Sequence, residues 1–180
     1  MPLDTLNADH IGQAGGGFEP QRQNNGLLYI TGLEGDENGI TTLSFVTGPV
    51  PKSDINVVEV HHQNQLRKFA GKTTYQDMTV QFYDYVDQNT KLVLTRWYYQ
   101  SHDPKSGKTR FASRYKKNGR LVLTGPDGST DREWAIEGMW IQGFDPGDID
   151  HESDTANRIS CTIAIDKAIY VPAIGFLATA

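Results

Sequence analysis

Apolar residues recur at every second position along several stretches of the chain. In 78–83 they occupy positions 78, 80 and 82, in 158–165 they occupy the odd positions, and in 133–140 they include Trp134, Ile136 and Trp140. A period of two is typical of antiparallel strands that bury one face and leave the other in water. Shorter patterns of the same kind predict further strands at 27–32, 40–47, 55–61 and 120–125.

A single stretch has helical periodicity. Leu94, Trp97 and Tyr98 recur at i, i+3 and i+4, Asp87 is a candidate N-cap, and Pro104 ends the run. These signals predict one helix over about 88–101. Many short strands with one helix indicate a mainly β fold, in which two packed antiparallel sheets form a small barrel or sandwich with the helix on one flank.

The length of 180 residues suits one domain with an arm at each end. Residues 1–26 contain a run of three glycines and few apolar positions, which predicts an N-terminal arm. We expect the β domain over 27–168. Residues 169–180 form a predicted C-terminal arm, whose apolar stretch would pack onto its own barrel or onto a neighbour.

Composition excludes several classes of protein. The single cysteine, Cys161, rules out an intrachain disulfide, and its place on the apolar side of a strand predicts a buried, inert thiol. No run of 18 apolar residues exists, so we expect no membrane-spanning helix. The net charge of −5 disfavours capture of nucleic acid through its phosphates, which usually requires a basic protein.

The candidate catalytic and metal-binding motifs each lack a residue or a geometry that their chemistry needs. Gly71-Lys72-Thr73 lacks the upstream glycine of a phosphate-binding loop. The acidic run 148–154 has Ser153 where a calcium loop needs glycine. His61 and His62 would point to opposite faces of a strand and cannot share one metal ion. The sequence therefore predicts no enzyme activity, no metal site and no cofactor.

Charge is segregated into two adjacent blocks. Residues 96–120 contain eight basic residues and one acid, and residues 127–154 contain nine acids and one base. Such blocks either neutralise each other within one subunit or attract copies head to tail, and head-to-tail contacts generate rings or filaments. The residues we select as candidate contacts from these blocks are Arg114, Lys116, Lys117, Asp148, Asp150 and Glu152.

A series of segments between residues 40 and 170 carries a family resemblance through its order and spacing. The segments are Gly71–Val80, the helix ending near Trp97, Tyr115–Lys117, Trp134–Trp140, and Gly143–Asp150 leading into Ile159–Asp166. In this order they resemble the inner tail tube proteins of contractile-tailed bacteriophages, a fold group shared with the tube proteins of type VI secretion.

The resemblance implies a structural protein of the virion, assembled in the bacterial cytoplasm. Six copies would form a ring by joining one sheet of each around a channel, and rings would stack into a hollow tube within a contractile sheath. The implied partners are the chain itself, the sheath, the baseplate and the tape-measure protein. DNA would pass through the channel during ejection without sequence-specific binding.

The same resemblance assigns roles to individual positions. The wet-face residues Glu59, Gln81, Glu133 and Glu137 are candidates for lining the channel, where acidic or neutral side chains would repel or ignore DNA. The segment His61–Ala70 would be a hairpin loop between strands that reaches a neighbouring ring. In that loop Phe69 would be an apolar anchor and Lys68 a charge contact.

Other functions fit the same composition. A tube that carries protein effectors, in type VI secretion or another contractile injection system, shares the architecture. A closed barrel that binds a small molecule is a different class, although the predicted inward residues pack a core better than they hold a polar ligand. A hydrolase is disfavoured because no active site is visible.

Overall fold

The computed structural model describes residues 21–87, 89–125, 128–149, 151–152 and 154–172. In these ranges the strands are β1 (Gly26–Thr31), β2 (Phe45–Thr47), β3 (Ser53–His62), β4 (Gln65–Tyr75), β5 (Met78–Tyr83), β6 (Lys117–Thr124), β7 (Thr130–Asp145), β8 (Arg158–Ala164) and β9 (Lys167–Pro172). The helices are α1 (Ile40–Ser44), α2 (Thr90–Tyr99) and α3 (Ala112–Tyr115). The predicted mainly β fold with two antiparallel sheets and a flanking helix is confirmed.

Two antiparallel layers share the long strand β7. Its first half pairs with β6 on one side and β9 on the other, and β1 extends this layer beyond β6. Its second half pairs with β8, which is followed by β5 and then β2. We call the first group the β1 layer and the second group the β5 layer.

The corner between the layers lies at Gly138. Its φ of 68° lies in the left-handed region that favours glycine, and its N–H donates to the Asn118 side-chain oxygen at 3.1 Å. The pairing of β6 with β7 shifts register here, so the alternation changes phase by one residue. Ile136 is buried before the corner, but Met139 and Ile141 are buried after it. The prediction that Trp140 shares the buried face of Ile136 is therefore wrong.

The core lies between the two layers and is closed by α2. Trp97 is buried, and its indole N–H donates to the Tyr115 carbonyl at 2.8 Å, which joins α2 to α3. The largest buried side chains after Trp97 are Phe82, Leu28, Met78, Leu94, Ile136, Met139 and Ile141. The alternation predicted for β5 and β8 is confirmed, since Met78, Val80, Phe82, Ile159, Cys161 and Ile163 are all buried.

The main helix is shorter than predicted and begins at a different cap. The Asn89 side chain accepts a hydrogen bond from the N–H of Leu92 at 3.2 Å, so Asn89 is the N-cap in place of Asp87. Residue 88 lies outside the described residues. The helix ends at Tyr99, with Gln100 as its C-cap.

The stretch 40–47 was predicted as one strand, which is wrong for its first five residues. The Asp36 carboxylate accepts hydrogen bonds from both the backbone N–H and the hydroxyl of Thr41. The Ser44 hydroxyl donates to the Ile40 carbonyl at 2.7 Å. These local contacts stabilise the short helix α1, so the strand β2 is confined to Phe45–Thr47.

The predicted terminal arms lie largely outside the described residues, which start at 21 and end at 172. Ile169–Pro172, the first part of the predicted C-terminal arm, belongs to β9 and pairs with β7. The β domain therefore continues four residues past the predicted boundary.

Candidate assembly surfaces

Strands β3 and β4 form a long hairpin that extends from the edge of the β5 layer. They follow β2 and precede β5, and the Gln76 N–H donates to the Lys52 carbonyl at 3.0 Å where hairpin and layer meet. In the described chain β3 and β4 pair only with each other. Every residue of the two strands is exposed except Gly71 and Tyr75, which are half-buried.

Apolar side chains lie on both faces of this hairpin. On one face Val58 stands opposite Phe69, with Val60 beside them, and on the other face are Ile55, Val57 and Leu66. These six side chains are 47–59% exposed. A lone two-stranded hairpin is marginally stable in water, and exposed apolar clusters mark contact surfaces. Both faces of the hairpin are therefore candidate contact surfaces.

The structure corrects the prediction that His61–Ala70 is a loop between strands. The turn consists of Gln63 and Asn64, with Gln63 at a φ of 53°, and residues 65–70 belong to β4. Lys68 and Phe69 lie within that strand. Glu59 stands directly opposite Lys68 and forms an ion pair with it at 3.6 Å. A residue predicted for the channel wall and one predicted for a ring contact are therefore neighbours on the hairpin.

The other predicted channel residues lie on two different surfaces. Glu133 and Glu137 are on the outer face of the β1 layer, where Glu133 is 3.9 Å from the Arg120 guanidinium and Glu137 stands opposite Lys167. Gln81 is on the outer face of the β5 layer, opposite Ser160. No single wall of one subunit can contain Glu59, Gln81 and Glu133 together.

The outer faces of the layers differ in character. The β5 layer presents small or uncharged polar side chains in its central rows, namely Thr79, Gln81, Ser160, Thr162 and Gly143, and the Asp145 carboxylate ends the row of Gln81 and Ser160. The β1 layer presents the exposed aliphatic residues Leu27, Ile169 and Val171 around Arg120, which lies 4.7 Å from the Tyr29 ring centroid. Contact with water is therefore more favourable for the outer face of the β5 layer than for the outer face of the β1 layer, which exposes aliphatic side chains.

An open concavity of about 840 Å³ lies at one end of the β5 layer, on the outside of the sandwich. Its walls include Gln81, Tyr83 and Ser160 and the loop that follows β7. The interior between the layers is filled by the core side chains. The arrangement differs from the closed barrel around a ligand that the sequence left as an alternative.

The three basic residues predicted as contacts, Arg114, Lys116 and Lys117, lie in different surroundings. The Lys116 ammonium forms an ion pair with the Asp166 carboxylate at 2.5 Å, and Lys117 begins strand β6. Arg114 is exposed on α3 and has no ion-pair partner among the described residues. Asp148 and Glu152 lie in the loop between β7 and β8, and Asp150 lies outside the described residues.

The structure adds two exposed residues that sequence reasoning missed. Phe111 precedes α3 and Ile149 lies in the loop after β7, and each is 85% exposed. A signal for both was present, since each is an isolated large apolar residue inside a charged stretch.

Cys161 is buried, as predicted, and burial together with the nearby Asp145 carboxylate raises the pKa of its thiol to about 12. We expect thiol reagents at pH 8 to leave Cys161 unmodified in the native protein and to modify it fully in denaturant. Mass spectrometry after alkylation measures this. Rapid labelling of the folded chain would contradict the packing around β8.

The described residues contain no group of three His, Cys, Asp or Glu side chains placed to hold a metal ion. None of the helices in the same ranges is long and apolar enough to cross a membrane.

Comparison with known proteins gives matches at the level of structure. No model of a known protein family matches the chain, and no curated protein sequence matches it. The fold is similar to a chain of the PVC sheath–tube complex of an extracellular contractile injection system in its extended state, with a TM-score of 0.66 and 14% identity over 86% of this chain and 93% of that one.

Two chains of the anti-feeding prophage are also similar. One comes from the cap that terminates its tube, with a TM-score of 0.67 and 14% identity over 93% of this chain and 100% of that one. The other comes from its 6-fold symmetrised baseplate, with a TM-score of 0.63 and 10% identity over 86% of this chain and 97% of that one. The predicted fold group is confirmed.

Proposed function

We propose that this chain is the structural subunit of a hollow tube at the centre of a contractile assembly. Six copies join into a closed ring, rings stack into the tube, and the chain performs no catalysis. The observation that carries the proposal is the β3–β4 hairpin, whose two apolar faces are about half exposed and pair with no other strand among the described residues. Support comes from the similarity to chains of a sheath–tube complex, a tube cap and a 6-fold symmetrised baseplate.

The free edges of both layers fit ring formation. In the described chain β1 and β9 each pair on one side only, and β2 ends the β5 layer after three residues. Unpaired strand edges promote uncontrolled association, and natural proteins cover or close them. A closed ring removes these edges by pairing each with its neighbour, and heterologous contacts close in this way when the rotation allows.

The β5 layer is the better wall for the channel. Its central rows carry hydroxyl, amide and small side chains, which stay hydrated and hold no phosphate. The aliphatic residues on the β1 layer are better buried against another protein. Gln81 is therefore retained as a channel-lining residue, whereas Glu133 and Glu137 face the other way and Glu59 belongs to the hairpin.

Two cargoes fit such a channel. In the tail of a bacteriophage the tube would conduct DNA at ejection, within a sheath and above a baseplate, and a tape-measure protein would set its length. The second candidate is the tube of a contractile injection system that delivers proteins, and the similarity to PVC and anti-feeding prophage chains favours it. Particles purified from producing cells distinguish the two by whether they contain packaged DNA.

Sedimentation velocity over a concentration series tests the assembly itself. We expect the 20.0 kDa chain to convert to a species of six copies and then to larger particles as concentration rises. A chain that stays at 20.0 kDa at every concentration, with and without tube seeds, would contradict the proposal.

A lysine placed on the β5 layer tests which layer lines the channel. We expect Thr162→Lys tubes to assemble and to hold short DNA duplexes that nuclease cannot digest, because each lysine adds a salt-sensitive phosphate contact inside the bore. The control is Thr31→Lys on the β1 layer, where bound DNA should be digested. Protection by the control and none by Thr162→Lys would assign the channel to the β1 layer.

A further inference from the structure

The loop between α2 and α3 is held in one conformation by its own hydrogen bonds. The Asp103 carboxylate accepts from the Lys105 N–H at 2.9 Å and from the Ser106 hydroxyl at 2.9 Å, and these bonds lower the Asp103 pKa. The Asp103 N–H donates to the Lys108 carbonyl at 3.0 Å, and the Arg110 N–H donates to the Ser101 carbonyl at 3.1 Å. The loop thus presents the residues that follow it in a fixed position.

Those residues and the loop itself carry one exposed aromatic ring within a run of exposed basic residues. Phe111 is 85% exposed, and the Arg114 N–H donates to its carbonyl at 2.9 Å, which places Arg114 one turn further along. Lys105, Lys108, Arg110 and Arg114 are exposed and form no ion pair within the described residues. We call Lys105, Lys108, Arg110, Phe111 and Arg114 the Phe111 surface.

The loop after β7 forms a surface of the opposite sign. Ile149 is 85% exposed and lies among acidic residues. The base of the loop is fixed, since the Gly147 N–H donates to the Asp145 carboxylate at 3.0 Å and the Asp84 N–H donates to the Asn157 carbonyl at 3.1 Å. The Ile149 surface comprises Asp145, Asp148, Ile149, Glu152 and Asp154.

The two surfaces do not cover each other within one subunit, because Phe111 and Ile149 are both 85% exposed. Each combines one apolar residue with charges of one sign, and the signs are opposite. We infer that the Phe111 surface of one copy binds the Ile149 surface of a second copy, a head-to-tail contact that rests on the proposed assembly function. An apolar centre with a charged rim is the usual anatomy of a specific contact.

This contact differs from the one that the charge blocks alone predicted. The sequence candidates for its basic half are Arg114, Lys116 and Lys117, with Asp148, Asp150 and Glu152 as the acidic half. Within the subunit, however, the Lys116 ammonium already forms an ion pair with Asp166. Arg114 is kept from the sequence candidates, and Arg110, next to the apolar Phe111, takes the place of the two lysines in the basic half of the contact.

Crosslinking tests the contact without requiring tubes to form. An Ala112→Cys chain and a tagged His151→Cys chain are mixed equally and treated with a flexible bismaleimide, while the buried Cys161 stays unreactive. We expect mixed dimers well above the share that random pairing gives. A random share would overturn the inference.

Charge reversal and its rescue provide the matched control. Adding Arg110→Glu and Arg114→Glu to the Ala112→Cys chain should lower the mixed-dimer yield about fivefold, the size expected when a few exposed ion pairs become repulsive. Asp148→Lys and Asp154→Lys in the partner should then restore it. A mixed-dimer yield that changes with neither set of charge reversals would also overturn the inference.

The two proposals can fail separately. If mixed dimers form specifically but the chain never forms rings, the proposed tube function is contradicted and the inferred contact is supported. If the Arg110→Glu, Arg114→Glu chain forms rings and tubes normally and crosslinking stays at the random share, the inferred contact is contradicted and the proposed tube function is supported.

Discussion

Replacing Val58 and Phe69 together with threonine is expected to raise the concentration needed for assembly about ten- to a hundredfold and to leave the body of the subunit folded. Both side chains are about half exposed on one face of the hairpin, and the proposed assembly buries them against other copies. Fully burying an exposed side chain of this kind contributes about 1.5–3 kcal/mol, and the half that remains exposed accounts for about half of that. Losing two such contributions should weaken association about ten- to a hundredfold, since about 1.4 kcal/mol is a factor of ten. Threonine keeps the β propensity of both positions.

The neighbouring cross-strand pair offers the matched control. Glu59→Thr with Lys68→Thr removes the 3.6 Å ion pair in the adjacent row and no apolar side chain. An exposed pair contributes at most about 1 kcal/mol, so this variant should assemble almost as the wild type does. Sedimentation of both variants at matched concentrations measures the difference. If the charge variant fails and the apolar variant assembles, Lys68 rather than Phe69 carries the contact.

Trp97→Ala is expected to produce the largest loss of stability in the subunit. The side chain is buried between α2 and the layers and fills the open side of the sandwich. Truncating a buried tryptophan costs about 3–5 kcal/mol. In a chain of this size that lowers the melting temperature by about 6–20 °C. Thermal unfolding followed by circular dichroism, below the concentration of assembly, measures the shift.

Trp97→Phe separates packing from hydrogen bonding. Phenylalanine keeps most of the apolar volume, but it leaves the Tyr115 carbonyl without the 2.8 Å bond from the indole N–H. The cost should be about 1–3 kcal/mol, smaller than that of alanine. A melting temperature unchanged in both variants would show that α2 does not close the core.

Regular strands could be predicted from the sequence because their alternation is uninterrupted. The buried faces of β5 and β8 follow directly from a period of two. Strand β7 begins in the same way, but the left-handed Gly138 shifts the phase, so Met139 is buried and Trp140 is only half-buried. A glycine in a strand pattern permits a bulge without requiring one, so the corner could not be located from sequence alone.

The first strand of the hairpin is predicted at 55–61, but the sequence predicts a loop over the start of its second strand. Leu66, Phe69 and Ala70 show no clean alternation, because the hairpin carries apolar residues on both faces. In the proposed assembly, surfaces of other copies would cover both faces. Sequence reasoning about a single subunit therefore assigns residues 65–70 to the loop and not to strand β4.

The candidate site was predicted as a set of residues rather than as surfaces. Alternation identifies Gln81 and Glu133 as wet positions, but only the topology shows that they face away from different layers. The pairing of Lys116 with Asp166 joins residues fifty positions apart, which no local pattern reports. Exposure of Phe111 and Ile149 likewise depends on which loops remain uncovered after folding.

Cryo-electron microscopy of the assembled wild-type protein tests the central claim most directly. The account predicts closed rings around an open bore, with Gln81 and Thr162 facing the bore and both faces of each β3–β4 hairpin covered by other copies. Particles in which the hairpins remain in solvent, or in which no bore exists, would contradict it.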